Sequence, residues 1–593
     1  MIDKGISRVW LQHYDKEVSA NLSYEHISMY EILARAAERH PERTALIFNN
    51  WRVSYRKLKV LVDLTGTNLR RSGVRPGDRV AIMLPNCPQA VISYWACLRL
   101  GAVVVMTNPL YMEKELVHHF NDSGAATLIT LDLLWNRIDS LRPRLGLERI
   151  FITSISDCLR FPLNLLYMFK SRREHRLPDI PYGSSGVASW KSLLARTAVE
   201  PPHPIDPQKD LALLQYTGGT TGVSKGVMLT HANLLCNARQ CQAVLHGISE
   251  ERETGQVILG LLPFFHIYGL TVCVNFGMLI GATLIPVPKF TPADVLKTIS
   301  KKRPTIFPCA PSIFVALLQQ KNLARYDLSS VRYCISGSAP MPVPVMEKFN
   351  KLTGARIVEG YGLTEASPIT HLNPLLGVNK NGSIGLPFPD TDAAIVDMDV
   401  GSVPLPPGKI GELVIRGPQV MGGYWNRPDE TASVLRNGWL YTGDIAYMDE
   451  EGYFFIVDRK KDLIITGGYN VYPREIDEVL HEHPAVKEAV SVGINHRTRG
   501  EIIKAYIVLR EGYTLTKAEV LAFCREKLAN YKVPKQVEFR DELPKSIVGK
   551  VLRRVIREEE ERRGDHDGDC DDELTGDGFE MKENQRGQED ESI

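Results

Sequence analysis

The chain has 593 residues, 44% of them hydrophobic, and a formal net charge of +1. That length supports several domains around large apolar cores, and the balanced charge gives no bulk attraction to nucleic acid. Its ten cysteines include no C-x-x-C pair and no His/Cys group has zinc-like spacing, which argues against a zinc module and for reduced, intracellular thiols.

The opening stretch MIDKGISRVWLQHYDKEVSA carries charges throughout and lacks the apolar core of a signal peptide. YEILARAAERH then has helical spacing, TALIF and RVSY read as strands, and YRKLKVLVDLTGTNLRRSG returns to an amphipathic helix. RVAIML and AVVVMT are compact β-rich runs that bracket a further helix, PQAVISYWACLRLG. The alternation continues through TLITL, RIFIT, ATLIPV and RYCIS, the pattern of α/β layers with largely parallel sheets. CLRFPLNLLYMFKSRREHR, which begins at Cys158, runs from an apolar patch into a basic cluster. It suits either an interfacial segment or a surface helix with its apolar face packed inward.

The longest apolar run, TVCVNFGMLIGATLIPVP, is interrupted by Asn275, Gly277, Gly281 and two prolines. A spanning helix needs about 20 apolar residues, so a buried helix followed by a short strand is expected, and the chain reads as soluble. From about residue 383 the texture changes to short strands and turns (AAIVD, GELVIRG, YFFIVD), a β-rich subdomain. A further compact segment starts near residue 461, with helix YPREIDEVLHEH and strands AVSVGI and KAYIVLR. The charged DRKKD before it reads as a hinge or an ordinary exposed turn. His481 and His483 flank Glu482 on what reads as a solvated helix surface. Residues 564–593 are acidic and poor in large apolar side chains, so they bury too little to offset ordering entropy and are expected to be disordered.

Chemistry concentrates first in YTGGTTGVSKGVMLTH, residues 216–231. Gly218, Gly219, Gly222 and Gly226 let the backbone approach a ligand closely. Thr217, Thr220, Thr221 and Ser224 supply hydroxyls, Lys225 a positive charge, and the exposed N–H groups an anion-binding concavity. The Walker pattern does not fit, because Lys225 is followed by Gly226 and Gly549-Lys550 by Val551. A phosphate cradle outside the P-loop class is expected.

Together with EGYGLTEAS, YTGD, DRKKDLIITGGYNVYPREIDEVL and PKSIVGKVLRR, in this order, the loop resembles the acyl-adenylate-forming superfamily of acyl-CoA synthetases, firefly-type luciferases and peptide-synthetase adenylation domains. LLQYTGGTTGVSKGVMLTHANLL and NPLY are most similar to bacterial long-chain fatty acid–CoA ligases. The resemblance covers nearly the whole chain except the acidic tail. It implies an N-terminal adenylation domain of α/β layers plus the β-rich subdomain (1–460) and a small mobile α+β C-terminal domain (461–560). ATP, magnesium and coenzyme A would serve the reaction.

Residue by residue, it assigns the loop from Thr217 through Gly218, Gly219, Thr220, Thr221, Gly222 and Ser224 to Lys225 to the β- and γ-phosphates. Ser338 and Ala339 would line the adenine and acyl pockets. In EGYGLTE, Tyr361 would meet the adenine, with Gly360 and Gly362 also in the ATP site, Thr364 the α-phosphate, and Glu365 the magnesium. Asp444 and Arg459 would hold the ribose, Lys461 would be the hinge, and Gly467 and Gly468 would let pantetheine pass. Lys550 would bridge carboxylate and α-phosphate during adenylation. His266 falls beside the acyl carboxylate or is a neutral core histidine, and Phe264, Phe265 and Tyr268 would wall an acyl tunnel.

The expected reaction is fatty acid plus ATP to acyl-AMP and pyrophosphate, then coenzyme A to acyl-CoA and AMP. Its alternatives are an acyl-AMP ligase that loads a carrier protein, a synthetase for medium-chain or aryl acids, and a non-catalytic nucleotide-binding scaffold. No nucleic-acid partner is expected. The location would be cytoplasmic with peripheral contact at the inner face of a membrane. The oligomeric state is left open, a homodimer being one option.

Overall fold

Apolar spacing sets each layer. The helix Met29–Arg39 buries Met29, Tyr30, Ile32, Leu33, Ala36 and Ala37, one stripe at helical intervals. The helix Pro88–Leu100 is buried at every residue, with its one charge, Arg99, paired to Asp63 at 2.9 Å. Pro88 opens it and Gly101, at φ +79°, closes it, the usual asymmetry of helix ends. The strands Val103–Met106 and Thr127–Leu131 are buried at every residue, hence on both faces, the signature of a covered parallel sheet.

The computed structural model describes residues 2, 6–174, 178–184, 186–217, 224–245, 255–398, 400–466, 469–496, 500–546 and 550–564. The acidic tail beyond residue 564 therefore lies outside the described residues. Contacts divide the chain into two units, Met1–Leu463 with Lys545–Val551, and Ile464–Pro544 with Leu552–Ile593.

The first unit contains three sheets. In the eight-stranded sheet, Arg79–Met83 lies between Val103–Met106 and Thr127–Leu131, with Arg149–Thr153 and Val187–Ser189 beyond, all parallel. Leu211–Thr217 pairs with Val103–Met106 in parallel, and Lys225–Thr230 and Gly423–Tyr424 close that edge antiparallel. The nine-stranded sheet has a parallel centre of Thr44–Phe48, Thr283–Pro286, Val257–Gly260, Ile306–Cys309, Tyr333–Ser336 and Arg356–Gly362. Antiparallel strands flank it, Trp51–Ser54 at one edge and Ile369–Leu372 at the other. A five-stranded antiparallel sheet follows from Asp392–Val396 to Phe454–Arg459. The expected α/β layers and β-rich subdomain are both present.

In the second unit, Val486–His496 and Gly500–Leu509 form a long hairpin, with Gln536–Phe539 parallel to the latter. The helices Pro473–Glu482 and Lys517–Lys527 contribute Ile476, Leu480, Val520 and Cys524 to its core. This is the expected α+β arrangement.

The long apolar run folds as anticipated, into buried helix and then strand. A π-helical stretch, Leu270–Asn275, continues through Phe276–Leu279, and Thr283–Pro286 is the strand. Among the described residues no helix is long and apolar enough to cross a membrane. Nine cysteines are described, all free and buried. The helix Leu163–Arg173 departs from one of its two expectations: its apolar side chains point outward, and only Ser171 is buried.

Candidate active site

The phosphate-loop candidates sit on a hairpin. Leu211–Thr217 and Lys225–Thr230 pair antiparallel with Thr217 opposite Lys225. Gly218, Gly219, Thr220, Thr221 and Gly222 lie outside the described residues. The base of the hairpin is firmly held. Tyr216 donates to Asp122 Oδ2 at 2.6 Å, His118 Nε2 donates to the Ser224 carbonyl at 2.8 Å, and Trp425 N donates to the Gly226 carbonyl at 2.7 Å. A Cβ on Gly226 would lie 3.2 Å from the Tyr216 ring, so this glycine serves packing. The helix His231–Val244 starts at once, capped by reciprocal bonds of Thr230 and Asn233. Asn233 Nδ2 also reaches the carbonyls of Pro418 and Val420, each at 2.9 Å, which ties the hairpin to the segment leading into Gly423–Tyr424.

Lys225 is half-buried and paired with Glu430, and its ammonium lies 5.2 Å from the centre of the Tyr424 ring. Burial lowers its pKa, and the charges of Lys461 and Arg427 add to that against the pull of Glu365. Lys225, Lys461 and Arg427 thus cluster here, with Lys225 paired to Glu430 and Arg427 to Asp122.

Glu365 lies on the single turn Thr364–Ala366 after the strand Arg356–Gly362. Its Oε1 accepts from the Tyr424 phenol at 2.7 Å, and its carbonyl accepts from Met421 N at 2.8 Å. Gly362 is required by the tight return into Ile369–Leu372. A Cβ on Gly362 would fall 2.1 Å from the Pro368 carbonyl oxygen, and one on Gly360 2.7 Å from Leu372 Cδ1. Gly362→Ala is therefore expected to destabilise the larger unit by about 1–3 kcal/mol; an unaltered thermal melting curve would show that the turn has room.

Tyr361 donates to Asp444 Oδ2 at 2.5 Å, and Arg459 Nε stands 3.0 Å from Asp444 Oδ1. Asp444 and Arg459 are direct cross-strand partners. Asp444 is buried, and burial together with its charge pushes the Tyr361 phenol up, so the phenol remains a neutral donor. An ionised carboxylate has about four acceptor sites, so Asp444 retains capacity for a further donor.

Ser338 follows the strand Tyr333–Ser336, exposed and at φ +73°, a left-handed conformation uncommon outside glycine. Gly337 packs under the Tyr268 ring, and Tyr268 donates to the Ile335 carbonyl at 2.9 Å. Ala339 is half-buried beside Ser338. His266 Nδ1 accepts from Tyr268 N at 3.2 Å, so its neutral ring carries the proton on Nε2. Burial lowers its pKa to about 4. His266 is thus a neutral ring that caps Tyr268 N and has one N–H left to offer, an arrangement compatible with either reading of it.

Lys461 is exposed in the turn after Phe454–Arg459, where Asp462 N donates to the Arg459 carbonyl at 3.0 Å. Gly467 and Gly468 lie outside the described residues, between the paired strands Ile464–Thr466 and Tyr469–Val471. Lys550 is exposed; Ser546 N donates to its carbonyl at 2.7 Å and its own N–H to Ser546 Oγ at 3.1 Å.

The structure thus connects Lys225, Glu365, Tyr361, Asp444 and Arg459 through contacts and mutual electrostatics in one unit. Sequence reasoning missed Tyr424, Arg427 and Glu430, which engage Glu365 and Lys225. The available signal was GYWNRPDET, an aromatic pair and three charges in a turn between apolar runs.

Comparison with known proteins gives the family. Residues 33–425 match the AMP-binding enzyme family and residues 475–550 the AMP-binding enzyme C-terminal domain. The chain belongs to the AMP-binding enzyme family. It is 47% identical over 553 residues to a long-chain-fatty-acid–CoA ligase of Bacillus subtilis (strain 168), covering 93% of this chain and 98% of that protein. A feruloyl-CoA synthase of Amycolatopsis sp is 35% identical over 524 residues, 88% of this chain and 97% of that protein. The crystal structure of ATP-bound MatB from Rhodopseudomonas palustris superposes with a TM-score of 0.78 at 30% identity, covering 90% of this chain and 99% of that one.

Proposed function

We propose that the protein is an AMP-forming acid–thiol ligase that converts a long-chain fatty acid, ATP and coenzyme A to acyl-CoA, AMP and pyrophosphate. The observation that carries this reading is the linkage of Lys225, Glu365, Tyr361, Asp444 and Arg459 in one site. Adenylation brings a carboxylate against the α-phosphate, and two anions repel. Fixed cations and dipoles at the point of growing charge lower that barrier. Lys225 and the loop from Thr217 to Ser224 take the β- and γ-phosphates. Thr364 faces the α-phosphate, Tyr361 with Ser338 and Ala339 surrounds the adenine, Gly360 and Gly362 also lie in the ATP site, and Asp444 with Arg459 holds the ribose.

Glu365 suits magnesium, a hard cation that prefers oxygen. One carboxylate oxygen is fixed by Tyr424, and among the described residues no hydrogen bond reaches the other. No group of three His, Cys, Asp or Glu forms a metal cage among the described residues, so the ion would rest on Glu365, phosphates and water. Magnesium there offsets phosphate charge.

His266 Nε2–H is placed as a donor toward the acyl carboxylate, and Lys550 as the ammonium between carboxylate and α-phosphate. The domain limits 1–460 and 461–560, rotation at Lys461, and a pantetheine path over Gly467 and Gly468 complete the reading, with the protein in the cytoplasm and in peripheral contact with the membrane. The greater identity to the fatty-acid ligase than to the feruloyl enzyme supports an aliphatic substrate. Pyrophosphate release and thioester formation across acids of graded chain length, with coenzyme A or a carrier protein as acceptor, test this. Activity confined to aryl acids, or a thioester only on the carrier, would replace it.

Asp444→Ala is expected to raise the apparent KM for ATP by about tenfold or more with little change in kcat. A hydrogen bond to a charged group contributes about 1.5–3 kcal/mol, and this one does not touch the reacting phosphorus. An unchanged KM with a lower melting temperature would mark Asp444 as structural.

A further inference from the structure

The helix Leu163–Arg173 is inverted. Asn164, Tyr167 and Ser171 fall on one helical face at i, i+3 and i+7, and this face is the covered one. The side chains turned to solvent are Leu165, Leu166, Met168 and Phe169, with Phe161 just before the helix. Phe161 is 76% exposed, Leu166 60% and Phe169 69%, whereas Ser171 is 5% exposed. The stretch 160–173 also carries Arg160, Lys170, Arg172 and Arg173 and no acidic residue. Nearby Asp157 is mostly covered and bridged to Lys191 at 2.8 Å, and Glu174 closes the helix. The segment is pinned at its start, where Asn50 Nδ2 donates to the Arg160 carbonyl at 3.0 Å and Arg160 N to Asn50 Oδ1 at 3.1 Å.

We propose that this face docks flat on a lipid bilayer bearing anionic headgroups, Phe161, Leu166 and Phe169 entering the acyl boundary while the basic side chains meet the headgroups. Contiguous exposed apolar surface marks an interaction site, and apolar residues beside a basic cluster are the composition of an interfacial helix. A second copy fits poorly, because a two-fold contact sets the same patch against itself and would bring four positive charges onto four. The proposal deepens the acyl-ligase reading, on which it rests for its purpose: a long-chain acid partitions into the bilayer, and this surface would bring the enzyme to it.

The test is co-sedimentation of the full-length protein with phosphatidylcholine vesicles and with mixed phosphatidylcholine–phosphatidylglycerol vesicles. Wild type is expected to bind the mixed vesicles preferentially. The double variant L166E/F169E should weaken binding about tenfold or more, and K170E/R172E/R173E should remove the preference for anionic lipid. Both should retain wild-type turnover of a short soluble acid in lipid-free buffer, which keeps the fate of the ligase reading separate from that of the docking surface. F169W gives an independent reading that requires no loss of function: brominated lipid should quench its added emission. Wild type that ignores anionic vesicles, charge-reversed variants that bind like wild type, or an F169W signal untouched by brominated lipid would overturn the proposal. So would a wild-type dimer that L166E/F169E converts to monomer in sedimentation velocity, because the face would then be an interface between copies.

Discussion

Lys550→Ala is expected to abolish adenylate formation while leaving attack of coenzyme A on supplied acyl-AMP largely intact. On the proposed assignment, the ammonium acts only where carboxylate meets α-phosphate. Removing one stabiliser from such a site costs on the order of 3 kcal/mol or more, a factor above a hundred in rate. The side chain is exposed, so its loss should leave the fold unaffected and the effect should be kinetic. Pyrophosphate release and thioester formation from synthetic acyl-AMP, measured separately, decide the matter. Equal losses in both half-reactions would remove Lys550 from adenylation.

Lys461→Pro should separate the half-reactions in a different way. In the proposed reading, adenylation would need Lys550 beside the carboxylate and thioester formation would need that space for the pantetheine arm, so one rigid arrangement would serve only one step. Lys461 is exposed in a charged turn, and the contact-based division of the chain falls between Leu463 and Ile464. Hinges absorb their change at a few such positions. Proline fixes φ near −65° and removes a backbone donor. One half-reaction should persist and the other slow by orders of magnitude; a variant that runs both at wild-type rates would sink the hinge.

Much of this was readable before any coordinates. Continuous runs such as VVVM and TLITL fold as the buried strands their composition requires, and the ordered motifs brought together Lys225, Glu365, Tyr361, Asp444 and Arg459, though the roles given to them are proposals. Register was not readable. That Asp444 stands opposite Arg459 depends on how two strands align, and that Glu430 meets Lys225 depends on a segment some 200 residues away in the chain. Gly362 looked like a place where a ligand approaches the backbone, but it is already required by a turn with no space for a Cβ. The helix Leu163–Arg173 resisted for another reason. Its apolar residues at 163, 165, 166, 168 and 169 spread around most of the helix, so no stripe existed to choose a face, and the small polar residues went inward instead.

The buried cysteines have a consequence for chemical fidelity. An acyl-adenylate is a mixed anhydride, and any thiolate within reach would intercept it and leave the protein acylated. Cys241, Cys273, Cys309 and Cys334 lie close enough to Tyr268 to act on its ionisation, beside the proposed acyl pocket. Yet all four are buried, and burial pushes their thiols up into the protonated form, in which sulfur is a poor nucleophile. The other described cysteines are buried as well. Coenzyme A would then meet the activated acid with no competing thiolate from the described protein, and the catalyst would be spared self-modification by its own intermediate.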